Sequence, residues 1–299
     1  MADPEFALDR RAVMRAFGRA APHYEAAATL QRRVRAELLD RLQFFTLQPQ
    51  RVLDLGAGTC QAAADLRRRF PQAQILAVDL AEGMLRAAPR ARWSWRRGAV
   101  TRICGDARAL PLAAHSVDLI YSNLMLQWCD QPQVVFGELT RVLRPGGLLL
   151  FSTLGPDTLH ELRAAWAAAD NHSHVSLFLD LPQLGQALMR AGFAEPVLDI
   201  EQHRQHYPDA HALMRELKQW GAGNAARARA RGLTGRARLA AMLRAYERFR
   251  TSAGLPATFE VIAGAAFGSG AMADQPDTPA HHGEVAVPIS AIKSTRPGR

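Results

Sequence analysis

Residues 52–60 read VLDLGAGTC, an apolar run closed by a glycine-rich turn, and the turn is followed by the helical stretch QAAADLRRRF. This stretch decides the fold. Gly56 and Gly58 lack a Cβ, so the backbone can turn sharply there and come close to a ligand. An apolar strand that feeds a glycine turn and then a helix is the start of a doubly wound α/β sheet. On its own the G-x-G spacing is weak evidence. The surrounding sequence extends the pattern. Strands are expected at 51–55, 74–79, 100–104, 117–122 and 147–153, with helices at 60–69, 82–88, 132–143 and 156–169. This alternation predicts a mostly parallel seven-stranded sheet with helices on both faces, a Rossmann-like α/β fold. A helix over 181–191, a strand near 196–201 and a final strand within 256–267 complete it. Residues 7–45 read as one helical stretch, with Gly18 and Pro22 as its breakers.

The ends of the expected strands carry the candidate cofactor residues. A dinucleotide fingerprint carries a third glycine, and its pyrophosphate sits at the helix N-terminus, where a different ligand would present an amino-acid end instead. Here Gln61 stands in that glycine's place. Asp54, inside the turn motif, suits a ligand that bears an ammonium group. Asp79 lies 25 residues after Asp54 at the tip of the next strand, where an acid accepts hydrogen bonds from both ribose hydroxyls. Leu80 and Met84 follow as packing for an adenine ring. Asp106 and Ala107 end the third strand, where a carboxylate meets an adenine amino group. Asn123 ends the fourth strand, and RVLRPGGLLLFST supplies a helix, a turn and the fifth strand. The ordered set, with Gly56, Ala57 and Gly58 as the cradle, points to S-adenosylmethionine (SAM) and to a class I methyltransferase.

Several segments are more specific. SNLMLQW (122–128), FSTLGPDTLHELR (151–163), HVSLFLDLPQLGQALMRAGF (174–193) and LMRELKQWGAGNA (213–225) resemble the malonyl-acyl-carrier-protein O-methyltransferases of biotin synthesis. FGRAAPHYEAAATLQ (17–31) resembles the same family, and the likeness spans about residues 10–268. The resemblance implies methyl transfer to the free carboxylate of malonyl-carrier protein, giving the ester that primes pimeloyl synthesis. It places Arg163 just past strand five, as the donor to that carboxylate. Tyr24 and Gln31, seven residues apart, are expected on one face of an N-terminal helical lid over 1–46 that closes over SAM with Tyr24 near the reactive methyl. Gln127, Trp128, His174 and Phe178 are expected around the substrate. The methyltransferase domain then covers 47–268, with a helical, Arg-rich insertion at about 207–252 and a disordered tail at 269–299.

Charge and composition set further bounds. The formal net charge is +9, and residues 215–250 hold ten basic residues against Glu216 and Glu247. Such a segment is either a solvated helical face or a docking surface for an acidic partner, here the carrier protein. Cys60, Cys104 and Cys129 are too few and scattered for a zinc site or a disulfide framework, so no metal is expected. The N-terminus has no apolar signal region and no run is long enough to cross a bilayer. A cytoplasmic monomer that binds neither nucleic acid nor membrane is the expectation. A nucleobase-amine methyltransferase is disfavoured because Ser122-Asn123-Leu124-Met125 stands where an Asp/Asn-Pro-Pro-aromatic motif belongs. The remaining alternatives are a methyltransferase for a small free carboxylic acid and a SAM-binding assembly factor related to mitochondrial complex I assembly proteins.

Overall fold

The computed structural model of the chain describes residues 7–89, 100–227, 229, 232 and 234–269. The expected 269–299 tail therefore lies almost wholly outside the described residues, and so does Arg231 of the basic 215–250 segment. In chain order, three helices open the fold: α1 (Arg10–Ala20), α2 (Tyr24–Ala27) and α3 (Thr29–Asp40). Then come β1 (Arg51–Leu55), α4 (Gln61–Arg69), β2 (Gln74–Asp79), α5 (Glu82–Ala87), β3 (Thr101–Cys104) and β4 (Val117–Asn123). They are followed by α6 (Pro132–Val142), β5 (Leu143–Leu154), α7 (His160–Ala167), α8 (Leu181–Arg190) and β6 (Phe193–Tyr207). The last elements are α9 (Ala210–Gln219), α10 (Arg236–Glu247) and β7 (Leu255–Gly268).

The seven strands form one sheet in the order β3-β2-β1-β4-β5-β7-β6. All neighbours from β3 to β5 pair in parallel. β7 pairs antiparallel with both β5 and β6. The central strands are apolar throughout because both faces are covered. Leu38, Ala63 and Leu66 pack one face, from α3 and α4. Val135, Phe136, Leu139 and Leu188 pack the other, from α6 and α8. The chain runs outward in opposite directions from β1 and β4. A crevice opens beyond the carboxyl ends of these strands, where ligands bind in such sheets.

Several element bounds differ from expectation. The opening stretch is three helices, not one. Pro22 lies in the turn between α1 and α2, and Ala28 separates α2 from α3. Gly18 breaks nothing. It lies inside α1 against Gly83 of α5, and a Cβ added at Gly83 would meet the Gly18 Cα at 3.2 Å. The two glycines let the helices touch backbone to backbone. α7 starts later than expected because residues 155–159 turn, with Leu159 in the left-handed region at φ 55°. β6 is much longer than the apolar signal at 196–201. It pairs with β7 up to Tyr207, and its exposed Glu201, Gln202 and Arg204 hide the strand in the sequence.

A cap forms over the crevice from both ends of the chain. The Asp9 N–H donates to the Ala225 carbonyl at 2.8 Å, and the Arg227 N–H donates to the Ala7 carbonyl at 2.8 Å. The Trp220 indole N–H donates to the Ala27 carbonyl at 2.6 Å. The N-terminal helices and the segment between β6 and β7 are thus joined.

Candidate active site

The floor of the site is the glycine turn after β1. Gly56 sits at φ +74° and Gly58 at φ +54°. A Cβ on Gly56 would run into the Met125 side chain, so only glycine fits there. The Gly56 and Ala57 N–H groups both donate to the Val78 carbonyl, at 2.8 and 3.0 Å. The Gly58 N–H donates to Asp79 Oδ2 at 2.8 Å, and the Ala81 N–H donates to Asp79 Oδ1 at 2.7 Å. Each Asp79 oxygen thus has one backbone donor and keeps acceptor capacity for a hydroxyl. Burial raises the Asp79 pKa, against the pull of those two N–H groups.

Asp54 is 2% exposed and its Oδ2 has no partner among the described residues. Burial pushes its pKa up to about 7, opposed by a bond from the Ala63 N–H and reinforced by the nearby Asp79. An orphaned buried carboxylate oxygen beside a glycine cradle fits a ligand ammonium group. Asp106 is engaged differently. It accepts from the Arg108 guanidinium at 3.0 Å and from Arg10 of α1 at 2.9 Å. Burial raises its pKa, but the Arg108 and Arg10 contacts outweigh it and the net shift is downward.

Three clefts meet over this floor. The first encloses about 910 Å³ of empty space and takes in Gly56, Gly58, Asp79, Leu80, Met84, Asp106, Ala107 and Asn123. The second, against Asp54, Ala57 and Gln31, continues it past the glycine turn. The third, about 750 Å³, takes in Gln31, Gln127, Trp128, His174 and Phe178. Phe17, Tyr24, Leu124 and Trp128 line both the first and the third and form the wall between them. Phe17 stands edge-on to Trp128, with ring centroids 5.2 Å apart. Among the described residues, Tyr24 alone lines all three clefts. Burial, then Glu25 and Asp79, raises its pKa, so its hydroxyl is a neutral donor at physiological pH.

Tyr24 and Gln31 come together although they do not share a helix. Tyr24 opens α2 and Gln31 lies in α3. Asn123 ties α3 down: its amide donates to the Gln31 carbonyl at 3.1 Å, and its oxygen accepts from Ser152 at 2.9 Å. The Gln31 side-chain oxygen is buried without a partner among the described residues. The Thr59 hydroxyl donates to Glu25, which joins α2 to the glycine turn.

Arg163 is the exception among the expected site residues. It is not among the residues that line the three clefts. Its guanidinium donates to the Pro156 carbonyl at 2.9 Å and the Thr158 carbonyl at 2.7 Å, one turn back on its own chain. It clamps the 155–159 turn. The third cleft contains no Arg, Lys, Asp or Glu among the described residues that line it. Phe17 and Met125 were missed. Both lie in segments that look like the family, but neither carries a polar group to attract attention.

The sheet order, the glycine turn and the acids at the strand tips define a Rossmann-like SAM-dependent methyltransferase. Residues 53–151 match the family described as "Methyltransferase domain". A putative methyltransferase from Bacillus halodurans C-125 shares the fold with a TM-score of 0.56 at 17% identity, covering 79% of this chain and 100% of that one. YcgJ from Bacillus subtilis shares it at 0.55 and 17%, covering 79% and 99%. Among full-length relatives, the malonyl-[acyl-carrier protein] O-methyltransferase of Methylovorus sp. (strain MP688) is 49% identical, over 91% of this chain and 93% of its own. That of Gallionella capsiferriformans (strain ES-2) is 45% identical over 88% and 92%, and that of Halorhodospira halophila (strain DSM 244 / SL1) 42% over 97% and 97%. The chain belongs to the malonyl-[acyl-carrier protein] O-methyltransferase family.

Proposed function

We propose that this enzyme transfers the methyl group of SAM to the free carboxylate of a malonyl thioester borne on acyl-carrier protein. In biotin synthesis the resulting ester would hide a charge, so that the acyl group can be extended as a primer. The observation that carries the reading is the three-cleft junction at Tyr24. SAM supplies an electrophilic methyl group on a sulfonium. The acids divide the work of holding it: Asp79 takes the ribose hydroxyls and Asp54 faces the ammonium end. Leu80 and Met84 pack the base. Asp106, committed to Arg108 and Arg10, fixes the floor under the adenine and binds the cap to it.

A malonate carboxylate is already ionised at neutral pH, so the chain needs no general base. No Asp, Glu or Lys lines the substrate cleft among the described residues, and His174 is engaged with Asp170. Its residues act by position and by excluding water. The Tyr24 hydroxyl donates to the carboxylate, with Gln31, Gln127 and the Trp128 indole beside it. His174 and Phe178 wall the acyl thioester. The carrier docks on the basic 215–250 segment, and the enzyme works as a cytoplasmic monomer without nucleic acid or membrane. Among the described residues no helix is long and apolar enough to cross a membrane.

A labelled-methyl assay over a panel of acyl-carrier proteins tests the reading. Malonyl-carrier is expected to accept the methyl, while acetyl- and butyryl-carrier, which lack a free carboxylate, are not. Equal labelling of all three would refute it, and so would labelling of free malonate in preference to the carrier-linked form.

A further inference from the structure

The substrate cleft does not end at His174. It runs outward into a shallow hollow and shares with it Leu162, His174, Leu217, Ala222, Gly223 and Asn224. The rim of this hollow is cationic. Arg19 ends α1, His23 lies in the turn after it, and Arg215 and Lys218 stand one turn apart on α9. All four side chains are exposed. None of Arg19, Arg215 and Lys218 makes an ion pair among the described residues, and no Asp or Glu lines the hollow among them. Glu216, the acid between the two α9 cations, is half-buried and does not line the hollow.

Four other cations of the basic segment are paired instead. Arg227 pairs with Asp130, Arg229 with Asp9, Arg238 with Asp170 and Arg250 with Glu247. Those charges are spent on the protein's own acids. Arg236 and Arg244 of α10, and Arg248 just after it, also make no ion pair among the described residues, but they do not line the hollow; Arg19, Arg215 and Lys218 do, where the cleft opens outward. At the junction His174 is held rigidly. Its ring stacks on Trp166 with centroids 3.7 Å apart and 9° between planes, and its Nε2 lies 2.8 Å from Asp170. A ligand that fills cleft and hollow together is therefore long. It is neutral along the neck and carries a compact anion at the outer end.

We propose that the hollow is a phosphate site that seats the phosphodiester of the carrier's pantetheine arm, held by Arg19, Arg215 and Lys218 with His23 at its edge. The proposal rests on the reading that the substrate is a carrier-borne thioester. The hollow spans about 1630 Å³ with its open mouth, and Arg19 of α1 and Arg215 and Lys218 of α9 line it from two helices, offering several charge-assisted donors to an anion.

The test separates phosphate from carrier protein. The full chain is assayed with malonyl-pantetheine and with malonyl-4′-phosphopantetheine, neither of which bears a protein. The phosphate is expected to lower KM about tenfold, the effect of one or two charge-assisted hydrogen bonds. In the triple variant Arg19→Ala/Arg215→Ala/Lys218→Ala the two substrates should become equivalent. A variant that removes Arg33, Arg68 and Arg190, exposed on other helices, controls for net charge and should keep the preference. Wild-type KM values that do not differ would overturn the proposal. So would a triple variant that is impaired only with intact carrier, since the patch would then read the protein's acidic face. Calorimetry of unacylated 4′-phosphopantetheine and pantetheine against the enzyme needs no turnover. Selective binding of the phosphorylated form without methyl transfer would leave the site standing and remove the malonyl reading.

Discussion

Asp79 does two jobs with one carboxylate. It stitches the Gly58 and Ala81 N–H groups and presents its remaining lone pairs to the ligand. Asp79→Ala should therefore weaken SAM binding by about 1.5–3 kcal/mol, the cost of losing charged acceptors at a buried site. Calorimetry on the folded variant measures this, and unchanged affinity would take Asp79 out of the site. Asp54 makes a prediction in pH. Its folded pKa is raised to about 7 from an ordinary 3.8. For a raised carboxylate, the proton is held in the fold after the unfolded chain has lost it. Its contribution to stability is thus full below 3.8 and is lost as pH rises through about 7. A ligand ammonium opposite Asp54 favours the ionised form and displaces the proton. SAM affinity should then rise as pH climbs toward about 7, with proton release on binding, and Asp54→Asn should abolish both. Calorimetry in buffers of different ionisation enthalpy reads the released proton directly. At this scale the sequence was legible where chemistry sits at strand tips, because the acid's position follows from the strand's end. It was not legible for Arg163. A guanidinium one turn from its own carbonyls looks, in sequence, the same as one aimed at a substrate.

The cap works as a set of elements held by close contacts. α1 lies on α5 through Gly18 and Gly83, and Gly221 gives Phe17 the same room, since a Cβ there would lie 3.2 Å from the Phe17 Cα. Phe17 in turn stands against Trp128 and forms part of the wall between the first and third clefts. Gly83→Val should lift α1 from α5, with an overpacking cost of about 1–3 kcal/mol. Turnover and SAM affinity should fall together, and limited proteolysis should cut the 10–20 helix faster than in the parent. An unchanged cleavage rate would mean that the two glycines are incidental. The βα alternation around the cofactor was visible because helix and strand periods differ and the glycine turns punctuate them. The cap was harder to read. Its breaks at Pro22 and Ala28 and its ties from residues 7–9 to 225–227 depend on contacts between segments more than two hundred residues apart. β6 escaped in part for a similar reason: its polar half is a strand because β7 lies beside it, not because of its own residues.

At the scale of the whole molecule, net charge overstates what is available to a partner. Arg227 and Arg229, which sequence alone would offer for docking, are bound to Asp130 and Asp9 and hold the cap together. Removing them should loosen the cap and depress activity with every substrate. The unpaired cations should instead steer an acidic carrier. KM for malonyl-carrier is therefore expected to rise with ionic strength, while KM for a short malonyl thioester on no protein, which carries only its own carboxylate, stays nearly flat. Stopped-flow association at several salt concentrations measures the slope, and equal slopes for both substrates would remove the steering role. The central claim is that the methyl group ends on the malonyl carboxylate. Intact-mass and fragment-ion analysis of malonyl-carrier protein, after reaction with isotopically labelled SAM, tests that most directly. The account predicts one labelled methyl per carrier, on the acyl end of the arm and lost on mild alkaline hydrolysis. No label on the arm of a loaded carrier, from enzyme that binds SAM, would contradict it, as would label on the carrier polypeptide.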